Sequence, residues 1–169
     1  MKRLLCIAVL ALLSATGTLS AQNYIVVNSE KIFKSVDAYN QAITTIDALG
    51  EQYQKQVDAK FAAIETLYNN YVNQKNLLSQ SAQQNREAEI LAQEKAATAF
   101  QESIFGTEGT LIKKRVELIQ PIQKRVFEAI NQYAKAHGCD LVLDAASNPA
   151  MLYNATTIDK TNAIINSLK

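Results

Sequence analysis

Tryptophan is absent from this chain, and proline (2), glycine (5), histidine (1) and cysteine (2) are scarce among its 169 residues. So little glycine and proline encodes few turns, and the elements must be few and long. A single histidine and two cysteines exclude the usual four-ligand zinc sites. There is no Gly-rich phosphate loop, no nucleophile elbow and no His-x-x-x-His. The carboxylates are spread along helix-like faces rather than gathered in one region. The chain therefore reads as non-enzymatic, with no catalytic, cofactor-binding or metal-ligating residues. Charge of one sign is missing as well: 17 Lys+Arg stand against 16 Asp+Glu. That balance offers no basic field for nucleic acid.

What is present is a folding composition, with 48% hydrophobic and 20% charged residues in a length that fits one domain. The N-terminus reads as a cleavable export signal. Lys2 and Arg3 precede an unbroken apolar run, Leu4 to Leu13, which is too short to span a bilayer. Small residues follow from Ser14 to Ala21, with cleavage placed after Ala21. Cys6 lies inside the apolar run and is not placed as a lipoprotein acceptor. Removal of residues 1–21 takes away Lys2 and Arg3 and no acid, leaving a net charge near −1 and Cys139 as the lone cysteine. No internal disulfide is then possible. No later apolar run approaches about 20 residues, so the exported chain is expected to be soluble.

Tyr24-Ile25-Val26-Val27 reads as a short strand, ended by Asn28 and Ser29, both good helix caps. Apolar residues then recur at Ile32, Val36, Tyr39, Ile43, Ile46, Tyr53, Val57, Phe61, Ile64, Tyr68, Tyr71 and Leu78, a helical period free of proline. The step from Val57 to Phe61 is a second consecutive four, which reads as a heptad stutter. Ser35 or Asp37 can cap a restart, so a short helix is expected before the long one. Ile90, Ala97, Ile104, Leu111 and Leu118 repeat every seven residues and define a returning helix over about 86–137. The polar stretch Ser79 to Asn85 between the two is where the chain should reverse. Gly106 and Gly109 should loosen the returning helix, Pro121 should bend it, and His137-Gly138 should end it. Asp140 to Asp144 and Ala150 to Tyr153 read as further strands, and Thr157 as the cap of a closing helix carrying Ile158, Ile164, Ile165 and Leu168.

The expected fold is mainly α with a small β body: one long antiparallel helical hairpin, a coiled-coil arm, on a strand-containing base. The body is 22–36 with 112–169, holding strands near 24–28, 140–145 and 150–154. The arm is 37–111, with its turn near 79–86. Three short strands leave sheet edges unpaired, and an arm with about two apolar residues per heptad has a seam for one neighbour only. The simplest remedy is oligomerisation through the base, strands from several chains closing a β-barrel. Val26, Leu141, Leu143 and Leu152 are the candidate oligomerisation residues. Arms on a shared base would enclose a space whose walls mix Gln, Asn and Lys with Tyr, Phe and Leu. Such a surface suits transient binding of a non-native chain through many weak contacts. Tyr68, Tyr71 and Phe100 are the candidate client contacts, although stripe residues more often serve hairpin packing.

Other residues have plainer readings. Lys113-Lys114-Arg115 and Lys124-Arg125 form a solvated face, with weak contact to membrane headgroups as the lesser reading. His137 is a partner for the helix dipole. Cys139 is expected to be buried beside a strand, and Asn154-Ala155-Thr156 is a chance sequon.

The order of parts resembles the Skp/OmpH family of periplasmic chaperones. Ile25-Val26-Val27-Asn28-Ser29-Glu30-Lys31-Ile32 is similar to its opening strand and short helix. Pro121-Ile122-Gln123-Lys124-Arg125-Val126 is similar to the start of its descending base helix. Asp140 to Asp144 with Met151-Leu152-Tyr153 is similar to its C-terminal strands, and Thr157-Ile158-Asp159 to the start of its closing helix. The resemblance implies a homotrimer with three helical arms on a β-barrel body. It implies a periplasmic, ATP-independent holdase for unfolded outer-membrane proteins. Well-known members are strongly basic, and this chain is near neutral. Such members often carry proline where Val36 stands. The competing reading is an envelope adaptor whose coiled coil docks one folded partner.

Overall fold

The computed structural model describes residues 23–169, so the export signal expected over 1–21 lies outside the described residues. Strand β1 (Tyr24–Val27) leads into helix α1 (Ser29–Lys34). The Asn28 side chain caps α1 by accepting from Lys31 N at 2.9 Å, satisfying an otherwise free N-terminal donor. The chain then kinks at Ser35 and restarts as α2 (Asp37–Gln74). Neither Ser35 nor Asp37 caps that restart. Val36 occupies the cap in extended conformation without a side-chain bond. Its side chain is instead buried in the base, so packing substitutes for capping there.

A single 3-10 turn, Lys75–Leu77, reverses the chain into α3 (Gln80–Phe105). The reversal comes earlier than 79–86. Ser79 accepts from Ala82 N and starts the helix, and Gln83 Nε2 donates to the carbonyls of Lys75 and Leu78. The polar run after Ser79 is therefore helix rather than loop. The returning limb is two helices, not one: α3 stops at Phe105 and α4 (Thr110–Ala136) begins after Gly106–Gly109. Helix α4 runs through Pro121 without interruption. Pro121 and Glu117, whose carbonyl loses its partner, are both exposed, so the freed carbonyl faces solvent rather than the core. Gly138, at φ 61°, ends α4 in the left-handed conformation, with Cys139 N donating to Ala134 O and Gly138 N to Lys135 O, a Schellman ending.

Strand β2 (Leu141–Asp144) pairs in parallel with β1, Tyr24 opposite Leu141 through Val27 opposite Asp144. The other edge of β1 is partly covered, because Val26 N donates to Ile158 O and Lys160 N donates to Val26 O. The strand expected at 150–154 does not form: those residues join no ladder, and Leu152 is 95% exposed. An extended segment becomes a strand only alongside a free edge; β1 is taken by 158–160, and 150–154 does not pair with the outer edge of β2. The closing helix α5 (Thr161–Ser167) accordingly starts later than Thr157. Ile158 lies in the segment leading to it, and Asp159 accepts from Thr161 N.

Among the described residues, three packed clusters hold the fold together. The base cluster unites Ile25 and Val27 of β1, Ile32 of α1, Val36, Val126 and Ile130 of α4, and Ile164 of α5. The arm root is packed by Ala42, Ile46 and Ile119, and the distal arm by Ile64, Tyr71, Ile90 and Ala97. At 1.5 Å per residue, α2 alone extends about 57 Å. No helix among the described residues is long and apolar enough to cross a membrane.

Candidate functional site

Strand alternation places Tyr24, Val26, Leu141 and Leu143 on the face of the sheet opposite to Ile25, Val27 and Val142, which meet the base cluster. Val26 is buried within its own chain, between β2 and the 158–160 segment. Leu143 is half-buried, while Leu141 (53%) and Leu152 are exposed. The outer edge of β2 has no ladder partner among the described residues. An apolar face and an open strand edge thus lie side by side on one end of the molecule. Asp144 closes the other end of β2: Oδ1 accepts from Ser29 N at 3.0 Å and Oδ2 from Ser29 Oγ at 2.6 Å. Ala146 N and Ser147 Oγ donate to the same carboxylate. Burial pushes its pKa up, but these donors outweigh it and hold the carboxyl below its ordinary value.

The three expected client contacts are not equivalent. Tyr68 is 54% exposed on the arm surface. Phe100 is half-buried, with Lys60 Nζ 4.9 Å over its ring. Tyr71 is buried in the distal seam. Its hydroxyl donates to Glu87 on the opposite helix, and Lys75 Nζ lies 3.6 Å from the same carboxylate. The Glu87 bond raises the Tyr71 pKa. This trio is a clasp across the hairpin near its tip, and the Tyr71 ring serves packing.

A second surface was not singled out from the sequence. At the arm root, Phe33, Tyr39 and Ile43 form one wall and Arg115, Val116, Ile119, Gln120 and Gln123 of α4 the other wall of a groove of about 420 Å³. Phe33 lies 5.4 Å from Tyr39 and meets Phe127 edge-on at 6.2 Å, centroid to centroid. Phe127 (53%), Val116 and Ile112 are exposed along α4. The signal for them is present in the sequence: all three fall off the seven-residue stripe that packs the arm. The groove offers aromatic faces, amides and one guanidinium, with no nucleophile–base pair among its lining residues. No group of three or more potential metal ligands occurs among the described residues.

The basic runs are not one uniform solvated face. Lys114 pairs with Glu117 at 2.8 Å, and Arg125 donates to Leu168 O at 2.6 Å, tying α5 to α4. His137 stacks on Tyr133 with centroids 4.0 Å apart. Cys139 is half-buried against the base cluster.

Among the described residues, a long helical hairpin stands on a small α/β base and carries shallow apolar and amide surfaces. In the comparison with family models, residues 23–168 match the model of OmpH-like outer membrane proteins, and the chain belongs to that family. Among solved structures, the chain is similar to an OmpH-like outer membrane chaperone candidate from Caulobacter crescentus CB15, with a TM-score of 0.67 and 15% identity. That likeness covers 91% of this chain and 88% of the other, and shows a shared fold. No curated protein sequence matches the chain.

Proposed function

We propose that this protein is an ATP-independent periplasmic holdase, exported by cleavage of residues 1–21, that keeps unfolded outer-membrane proteins from aggregating between its arms. Three copies associate through their sheets to close the body, and the arms bound the space that receives the client. The observation that carries this reading is that a single chain leaves its apolar surface unfinished. Leu141, Leu152 and the outer β2 edge lie open at the base, and Phe127, Val116 and Ile112 lie open where the arm begins. Burial of the first between copies removes the unpaired edge. The second remains to meet an extended chain, where partial burial of many side chains adds up. Family membership supports the same reading.

The test is light scattering of the exported protein with and without a urea-unfolded outer-membrane barrel, in the absence of nucleotide. The expected result is a concentration-dependent assembly about three times the chain mass that keeps the client clear at a several-fold excess. Client aggregation at an unchanged rate refutes the holdase reading. A stoichiometric complex with a folded envelope protein, and no affinity for unfolded chains, supports the adaptor reading instead.

A further inference from the structure

The groove at the arm root differs in charge from the shallow surfaces farther out. The two grooves beside the distal seam hold both signs, Arg86 with Glu89 in one and Lys75 with Glu87 and Glu94 in the other. The root groove is lined by Arg115 and by no acid. The neighbouring Lys114 is paired with Glu117, but among the described residues no carboxylate lies within ion-pair distance of Arg115. The groove therefore carries one uncompensated positive charge.

The rest of its lining is ordered along α4. Arg115 and Gln123 bound it on that side, and eight residues of helix separate them by about 12 Å. Between them Ile119 is buried and forms an apolar floor. Phe33 and Tyr39, inclined at 37° to each other, supply aromatic surface from the opposite wall. Gln120 and Gln123 are exposed, and each carries an amide that can both donate and accept.

These groups match a short piece of extended polypeptide. About 12 Å holds three or four residues at roughly 3.3 Å each. A main chain can bond to the two amides, an aromatic side chain can pack on Phe33 and Tyr39, and a carboxylate can meet the guanidinium fork. The carboxylate that sits directly on a main chain is the C-terminal one. It brings no side-chain rotamers to freeze, so ordering it costs less than ordering Asp or Glu.

We propose that the root groove captures the C-terminus of a polypeptide, its α-carboxylate on Arg115 and an aromatic side chain from its last three residues against Phe33 and Tyr39. One end of the bound chain is then held at the arm root while the remainder lies along broader surfaces. That the bound chain is an unfolded client rests on the proposed function; the preference of the groove does not.

Fluorescence anisotropy with the exported protein in its native assembly tests this. The probes are Gly/Ser peptides, labelled at the N-terminus, with one phenylalanine third from the end. The free-acid peptide is expected to bind at least about three-fold tighter than its amidated form, and than a free-acid peptide with alanine in place of phenylalanine. Arg115→Gln, at an exposed position, should abolish the preference for the free acid and leave the amidated peptide's affinity unchanged. Lys113→Gln removes the same charge two residues away, outside the groove lining, and should keep the preference. Equal affinity for free and amidated ends, no binding of either, or the same loss in both variants overturns the proposal. So does an amidated peptide with an internal Asp near its phenylalanine that binds as tightly as the free acid. Aggregation of a urea-unfolded outer-membrane barrel is followed with the same protein samples. Protection of the barrel without a free-acid preference overturns the groove proposal alone. A free-acid preference without protection overturns the holdase reading alone.

Discussion

Replacing Asp144 with alanine removes one carboxylate that receives four donors: Ser29 N, Ser29 Oγ, Ala146 N and Ser147 Oγ, at 2.6 to 3.0 Å. Two of them belong to the first residue of α1, so the carboxylate ties the end of β2 to the start of that helix. Bonds to a charged acceptor are worth roughly 1.5–3 kcal/mol each in net terms. The donors around this half-buried group regain water once it is gone, so the expected loss is about 2–3 kcal/mol in total, not the sum. For a domain of this size that is a fall in Tm of roughly 4–12 °C. The pH dependence follows from the depressed pKa. The unfolded chain takes up the proton first as pH falls, so the stabilisation is complete above the ordinary carboxylate value of about 3.9 and is lost as pH drops through the lower folded value. Asp144→Asn keeps the shape and one acceptor oxygen but not the charge, and should lose about half as much at pH 7. Thermal unfolding followed by circular dichroism, at fixed protein concentration because association shifts Tm, gives the comparison. A D144A melt within 1 °C (roughly 0.3 kcal/mol) of the parent at pH 7 refutes the reasoning. So does a parent–variant gap that does not shrink as pH falls below about 3.9.

Ile164 is fully buried where α5 closes the base, and Ile164→Ala should cost about 2–5 kcal/mol in urea unfolding. Tyr71→Phe removes the bond to Glu87 and leaves the ring in the seam. It should lower stability by about 1 kcal/mol and speed amide exchange near the tip while leaving the base unchanged. Leu141→Asp puts a charge on the open face beside the unpaired β2 edge. Sedimentation should then show loss of the assembly, with the helical content of each chain retained. Phe127→Ala should weaken protection of an unfolded barrel in aggregation assays without lowering Tm by more than about 2 °C, since its ring is half out of contact already.

The arm was legible because its signal is repeated. Ile90, Ala97 and Ile104 are buried where the stripe puts them, and a periodic pattern over many turns needs no knowledge of distant parts. Its defects were less legible. Glycines in a helical pattern cost about 1 kcal/mol each, and that alone does not separate a loosened helix from a broken one. The close approach of the Ile104 and Glu102 carbonyls to Gly109 and Gly106 decides it, and no local pattern encodes that approach. The reversal was misplaced for a related reason. Gln and Asn after Ser79 look like turn formers, but Ser79 caps them and Gln83 binds back across the turn.

In the base the difficulty is of another kind. Tyr24–Val27 and Leu141–Asp144 were readable as strands from their β-branched and aliphatic content, and they found each other. Residues 150–154 have much the same local character, yet pair with no strand among the described residues. A strand is a relation between two segments, and sequence pattern states only one side of it. Among the described residues β1 gives its second edge to Ile158 and Lys160, while Leu152 and Tyr153 stand in solvent and β2 keeps an open outer side. Side chains of that size are usually covered. The segment that failed as a strand and the sheet edge that lacks one therefore state the same deficit, and a second copy of the chain can satisfy both at once. Groups the monomer leaves unsatisfied are thus concentrated at the base, where association would rigidify it. The arm's own seam is narrow but complete, and Phe127, Val116 and Ile112 stay exposed beside its root.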